Sequence, residues 1–265
     1  MFRYYPYVPG PIVPAGASLL QITTDPTDAG SALVGDSLLS DVTLALDALL
    51  PSLSDSARKA PEPRHVPKDL PSTPGSPLTA IETYAALSEV RPGGAIVVQE
   101  SPSNYNEFLH WWPSIEEASY FTYASGGLGH NAPSAVGVAL AQKKLGTNRP
   151  VIVVIGDGSL QYSVQSLAAA AQHKLKMVYI VPCNGEYAIL KEFAVLEKTP
   201  NVPSLDLPFL DIVSLAKGYG CHATKADTKE EVQHAFKKAL AAEGPTVIAI
   251  PIKRELKSLI PSSSK

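Results

Sequence analysis

The run Val151–Asn184, VIVVIGDGSLQYSVQSLAAAAQHKLKMVYIVPCN, constrains this chain more than any other stretch. Five consecutive apolar residues, Val151–Ile155, all β-branched, predict a strand buried on both faces. Gly156, Asp157, Gly158 and Ser159 follow as a tight polar turn, and Leu160–Leu175, rich in Ala and Gln, predicts a helix. Met177–Val181 returns as a second apolar strand. A helical crossover makes two such strands parallel. Asp157 then sits just past the carboxyl end of the first strand, and Asn184, 27 residues on, just past the end of the second.

Neighbouring strand ends lie ~5 Å apart, so a carboxylate and an amide oxygen at these two tips can share one small hard cation. Oxygen ligands suit Mg²⁺, which takes few protein ligands and completes its shell with phosphate and water. Gly156 and Gly158 let a backbone approach an anion closely, and Ser159 with the helix start offers N–H groups. The pattern fits a diphosphate held through a metal at the carboxyl ends of a parallel sheet. GDG alone would equally suit an ordinary βα turn capped by its Asp; Asn184 followed by Gly185 at this spacing favours the metal.

GDGS followed by Asn184 resembles the cofactor signature of thiamine diphosphate-dependent enzymes, and most closely their benzoylformate decarboxylase-like branch. The resemblance runs on through YASGGLGHNAPSAVGVAL before the motif and NVPSLDLPFLDIVSLAKGYG after it, covering nearly the whole chain. It implies thiamine diphosphate and Mg²⁺ as cofactors, with Asp157, Asn184 and the backbone carbonyl of Glu186 as metal ligands. It assigns Ser101 and Ser103, with Gly156, Gly158 and Ser159, to the diphosphate end, although Pro102 stands where a hydroxyl residue is familiar. Leu128 matches the residue that wedges the cofactor into its bent form, and Gly126 the carbonyl that receives its amino group. Tyr187 is placed to cover the diphosphate. Ile189 and Phe193 match a pocket-lining helix, whose apolar character favours an aromatic or apolar 2-oxo acid. The usual Asn-Asn pair reads Cys183-Asn184, and Tyr5 stands where a proton-transferring His is found in benzoylformate decarboxylase.

The resemblance implies a fold of open parallel α/β sheet with helices on both faces over residues 78–255, preceded by a partial α/β central domain over 1–51. Six prolines between Pro61 and Pro77 mark 52–77 as an extended linker, and 256–265 reads as a tail. In the first block Leu19–Thr23 predicts a strand and Leu38–Leu50 a helix ended by Pro51. Thr79–Val90 predicts a helix, Ala95–Val98 a buried strand, and Gln99–Asn104 a polar turn beside that of Asp157. Leu109–Pro113, with Trp111 and Trp112, suits either a substrate entrance or plain packing. Helices over Pro133–Leu145 and Leu210–Gly218, strands at Ala223–Ala226 and Thr246–Ile250, and a capping box at Thr228–Glu231 complete the pattern.

Composition narrows the function class. The 265 residues carry a net charge of −3 without a basic block, which argues against nucleic acid. No apolar run approaches the ~20 residues of a membrane span, MFRYYPYVPG lacks the apolar core of a signal peptide, and the two cysteines suit buried residues in a reducing cytoplasm. The expected activity is non-oxidative decarboxylation of a small 2-oxo acid to an aldehyde. The N-terminal pyrimidine-binding domain, with the Glu that activates the cofactor, has no match here. The chain is therefore expected to need a homo-oligomer or a separate pyrimidine-binding chain. A related acetolactate synthase-like carboligase and a non-catalytic cofactor-domain remnant are the alternatives.

Overall fold

The computed structural model describes residues 13, 15–55, 59, 62, 70, 75–113, 116–123, 126–147 and 149–259; Tyr5 lies outside them. The chain divides into two compact units, Met1–Pro63 with Ile260–Lys265, and Arg64–Leu259.

In the first unit β1 (Leu20–Thr23) and β2 (Asp36–Leu39) pair in parallel around α1 (Pro26–Gly30), and α2 (Val42–Leu49) follows. The helix predicted from Leu38 starts four residues later. Leu38 and Leu39 are instead strand partners of Ile22 and Thr23, and Asp41 caps α2 by accepting from the Thr43 and Leu44 N–H groups. None of this unit's described residues is buried, and Leu38, Leu44, Leu46 and Leu50 are all exposed. Two strands and two short helices are too few to enclose an apolar core.

The second unit contains α3 (Ala80–Ser88), β3 (Ile96–Glu100), α4 (Tyr105–Trp111), β4 (Tyr120–Thr122), α5 (Asn131–Leu145) and β5 (Val151–Ile155). These are followed by α6 (Asp157–Gln161), α7 (Ser166–Gln172), β6 (Met177–Cys183), α8 (Ala188–Leu196), α9 (Ile212–Gly218), β7 (His222–Lys225), α10 (Lys229–Leu240) and β8 (Thr246–Pro251). Six strands form one wholly parallel sheet in the order β4-β3-β5-β6-β8-β7. Successive side chains of a strand point to opposite faces, and both faces here are covered. Ile152, Val154, Val178, Ile180, Ile248 and Ile250 pack with Tyr84, Phe108 and Phe236 from α3, α4 and α10. Val151, Val153, Ile155, Met177, Tyr179 and Val181 pack with Ala135, Leu167 and Ala216 from α5, α7 and α9. Burial on both faces is why the strands read as continuous apolar runs. Trp111 and Trp112 belong to the first of these cores, so packing, not a substrate entrance, accounts for them.

Connection handedness places the site. Right-handed crossovers that step one way across the sheet put their helices on one face, and those stepping back use the other. Passing from β3 to β4 and from β5 to β6 the chain steps in opposite directions, and α4 and α7 lie on opposite faces accordingly. The sheet therefore has its switch point between β3 and β5, where a crevice opens at the carboxyl ends.

Two boundaries depart from the sequence reading. β3 continues through Gln99 and Glu100, which pair with Val154 and Ile155 and are fully buried, so the polar turn begins at Ser101. The helix predicted over Leu160–Leu175 is two helices, beginning at Asp157 and interrupted over Tyr162–Gln165. The interruption is where Tyr162 and Ser163 press on Gly129, whose carbonyl accepts from Ser163 Oγ at 2.6 Å. Gly129 has φ +87°, and a Cβ on it would overlap Tyr162 Cβ and lie 3.3 Å from the Tyr162 carbonyl carbon. Gly129→Ala is expected to lower unfolding free energy by roughly 2–4 kcal/mol through strain and overpacking, measured by chemical denaturation.

Candidate functional site

The tips of β3, β5 and β6 converge on one cleft. Ser101 and Ser103 line it after β3, and Gly156, Asp157, Gly158 and Ser159 after β5. Asn184, Glu186, Tyr187 and Ile189 line it after β6, with Leu128 from the loop before α5. Gly126, exposed with φ +68°, and Phe193, half-buried on α8, are not part of the lining.

Asp157 is buried, 3% exposed. Its Oδ1 accepts from the Gly158 N–H at 2.9 Å and its Oδ2 from the Gly185 N–H at 2.8 Å. The second bond ties the β5 tip to the residue next to Asn184. Burial pushes the Asp157 carboxyl up to about 6 against the opposing pull of these N–H groups. Asn184 Oδ1 accepts from the Glu186 N–H at 3.1 Å, which folds the loop over the tip of β6. A short antiparallel bridge pairs Glu186 with Asp206 through Tyr187 N to Leu205 O and Leu207 N to Gly185 O; neither bond uses the Glu186 carbonyl. The Glu186 carboxylate is engaged by Lys191 Nζ at 2.6 Å. The Tyr187 ring covers Gly158, where a Cβ would come within 2.6 Å of it, and meets Tyr162 edge-on with ring centres 6.1 Å apart. α6 is little more than one turn, so it offers N–H groups rather than a sizeable dipole.

The Ser101 hydroxyl is buried and already bonded to the Tyr84 hydroxyl at 3.0 Å and to Gln99 Nε2 at 2.9 Å, which makes it part of the wall. Cys183 is not in the lining; burial, followed by the nearby Asp157 charge, pushes its thiol up, and its Sγ lies 3.2 Å from the Val181 carbonyl oxygen. The sequence reading passed over Glu100. This fully buried carboxylate accepts from the Gly129 and Asn131 N–H groups and so connects β3 to the Leu128 loop. The letters IVVQE gave no separate signal for it, because Gln99 and Glu100 together read as the start of the polar turn.

Residues 106–250 match the family of thiamine pyrophosphate enzymes through its C-terminal TPP binding domain, TPP being another name for thiamine diphosphate. The chain belongs to this family. It is 42% identical over 251 residues to benzoylformate decarboxylase of Pseudomonas aeruginosa, covering 95% of this chain and 47% of that protein. The crystal structure of benzoylformate decarboxylase from Polynucleobacter necessarius superposes with TM-score 0.89 at 41% identity, over 97% of this chain and 48% of the other. The thiamine diphosphate-dependent 4-hydroxybenzoylformate decarboxylase of Rhodococcus jostii gives TM-score 0.87 at 36% identity, over 97% and 48%. The chain thus spans about half the length of the relatives it matches. Among the described residues no helix is long and apolar enough to cross a membrane.

The donor set fits the family's cofactor. Among the described residues no group of three His, Cys, Asp or Glu side chains is placed to hold a metal. What the cleft offers instead is the buried Asp157 carboxylate, the Asn184 amide oxygen and main-chain carbonyls, the Glu186 carboxylate being paired with Lys191. Such an all-oxygen set suits a hard dication whose remaining ligands are phosphate and water.

Beside the cleft, Glu192 on α8 is 4% exposed, and burial pushes its carboxyl up to about 7. The Lys257 N–H bond and ammonium pull it down, while Glu107 and Glu186 add to the rise. A carboxyl raised on folding holds its proton longer in the native state, so stability falls as pH rises from about 4.5 through 7. Glu192→Gln removes that loss: it is expected to gain stability relative to the parent as pH goes from 5 to 8, read from thermal melts.

Proposed function

We propose that this chain is the diphosphate- and Mg²⁺-binding part of a thiamine diphosphate-dependent 2-oxo acid decarboxylase of the benzoylformate decarboxylase kind, yielding CO₂ and an aldehyde. The observation that carries this reading is the convergence of an acidic tip, an amide tip and a hydroxyl-bearing loop on one cleft at the switch point of a parallel sheet. On this reading Asp157, Asn184 Oδ1 and the Glu186 carbonyl hold Mg²⁺. Ser103 and the backbone of Gly156–Ser159 receive the diphosphate, and Tyr187 covers it. Leu128 supports the cofactor's bend, with Gly126 as carbonyl acceptor two residues earlier. The bound cofactor supplies the nucleophilic carbon and the electron sink. The residues named here anchor it, orient it and exclude water. Ile189 in the lining favours a substrate with an apolar or aromatic side chain.

The remaining half of the relatives' length is taken to bring the pyrimidine-binding part and its Glu, from another copy or another chain. Calorimetric titration of thiamine diphosphate with and without Mg²⁺ tests the reading. It is run on this chain alone and mixed with the pyrimidine-binding half of a relative. Saturable, Mg²⁺-dependent binding is expected, strengthened by the added half, with aldehyde as the product from 2-oxo acid. No binding in either arm overturns the reading, and acyloin in place of aldehyde redirects it to a carboligase.

A further inference from the structure

The segment after β8 reaches both walls of the cleft. Ile252 N–H donates to the Cys183 carbonyl at 3.0 Å and Lys253 N–H to that of Leu78 at 2.8 Å, which holds the chain down as it leaves the sheet. Arg254 then uses three nitrogens. Nε donates to the Asn184 carbonyl at 2.9 Å, Nη2 to the Gly185 carbonyl at 3.0 Å, and Nη1 to Asp206 Oδ1 at 3.1 Å. Three residues on, Lys257 Nζ donates to the Ser103 carbonyl at 3.0 Å and to Asn104 Oδ1 at 3.1 Å, and pairs with Glu107 Oε1 at 2.7 Å. The Lys257 N–H donates to Glu192 Oε1 at 3.2 Å.

The spacing suits this job. β3 and β6 are two steps apart across β5, which is ~10 Å. Three residues of extended chain also reach ~10 Å, so Arg254 can hold the loop after β6 while Lys257 holds the loop after β3. The Arg254–Asp206 ion pair itself contributes little, since both residues are more than half exposed and such pairs are weak. Geometry is what matters. A planar guanidinium on two consecutive carbonyls fixes the orientation of the peptides that follow Asn184. One of these carries the Gly185 N–H bonded to Asp157, and the next carries the Glu186 N–H bonded to Asn184 Oδ1. An ammonium with three acceptors fixes Ser103 and Asn104 in the same manner.

We propose that Arg254 and Lys257 are positioning residues: the strap they sit on sets the register of the two loops that present the metal and diphosphate ligands. This rests on the cofactor site proposed above. Neither residue lines the cleft, so the expected signature is a weaker metal site in a protein of unchanged intrinsic stability. Arg254→Ala, Arg254→Lys and Lys257→Ala are compared with the parent by three measurements. These are the apparent Mg²⁺ constant at saturating thiamine diphosphate, the thermal midpoint of the cofactor-free protein, and amide exchange at Gly185. Arg254→Ala is expected to weaken Mg²⁺ binding 10- to 100-fold, the range seen when a group orienting a metal ligand is lost, and to speed Gly185 exchange. Arg254→Lys keeps the charge but not the fork, so it is expected to restore little. Unchanged Mg²⁺ binding in both Arg254 variants overturns the proposal while leaving the cofactor site intact. So does full rescue by Lys, or a loss of affinity that only tracks a lower thermal midpoint. If the parent itself binds no cofactor, the site assignment falls first and this inference with it.

Discussion

Asp157→Ala is expected to weaken Mg²⁺-dependent thiamine diphosphate binding by at least about 100-fold, equivalent to ~2.7 kcal/mol. The reasoning is electrostatic. Asp157 is 3% exposed, and the Gly158 and Gly185 groups that donate to it are uncharged backbone N–H groups. It brings the one carboxylate of the proposed ligand set, and in a site shielded from water a single anion–dication contact outweighs several neutral ones. Alanine also removes the acceptor for the Gly185 N–H and so releases the loop that presents Asn184. Asp157→Asn separates the two effects: the amide oxygen still accepts from one N–H, yet the charge is gone. If charge dominates, Asn and Ala lose affinity alike; if loop geometry dominates, Asn recovers most of it. Calorimetric titration of both variants gives the answer, and parent-like affinity in the Ala variant would remove Asp157 from the metal site.

How legible all this was depended on how local the determining physics is. The β5–turn–β6 unit was visible in the sequence because a strand buried on both faces has to be a continuous apolar run, and Val151–Ile155 is one. The cleft followed, because Asp157 and Asn184 are fixed by the ends of two adjacent strands. Elements set by distant contacts were not visible. Leu38 and Leu39 fall on a helical spacing with Val42 and Leu46, yet pairing with Ile22 and Thr23 makes them strand. The helix after Asp157 is interrupted where Tyr162 and Ser163 meet Gly129, more than thirty residues away, a contact its own letters do not announce. Arg254 and Lys257 look like ordinary solvated charges near the end of a chain, and only coordinates show which carbonyls they hold. Glu100 was hidden differently: Gln99 and Glu100 have the polarity of a turn, and their pairing with β5 keeps them in the strand.

That buried carboxylate gives the second large effect. Glu100 closes β3 with no measurable exposure, and burial, opposed by the Asn131 and Gly129 N–H groups, raises its carboxyl from its ordinary value. The two carboxylate oxygens divide the work, Oε1 accepting from Gly129 and Oε2 from Asn131 at 2.7 Å. Asn131 in turn donates through Nδ2 to the Gln99 carbonyl at 2.6 Å, so one strand end holds both sides of the turn that leads from Leu128 into α5. Glu100→Ala leaves two buried N–H groups without their acceptor, each costing ~1–3 kcal/mol, and opens a void whose cost adds to theirs. A loss of about 3–7 kcal/mol is expected from these terms, a large share of the ~5–15 kcal/mol that holds a typical protein folded. Glu100→Gln should fall between the two, because its single oxygen can serve only one of the N–H groups while its NH₂ faces the other. The same turn carries Leu128, so the Gln variant, if it remains folded, is also expected to bind cofactor more weakly with Mg²⁺ saturating. Denaturant melts of both variants, with a cofactor titration of Gln, test the chain of reasoning. An Ala variant within about 1 kcal/mol of the parent would mean that water or a rearranged loop replaces the carboxylate, and that the Leu128 turn holds its shape without β3.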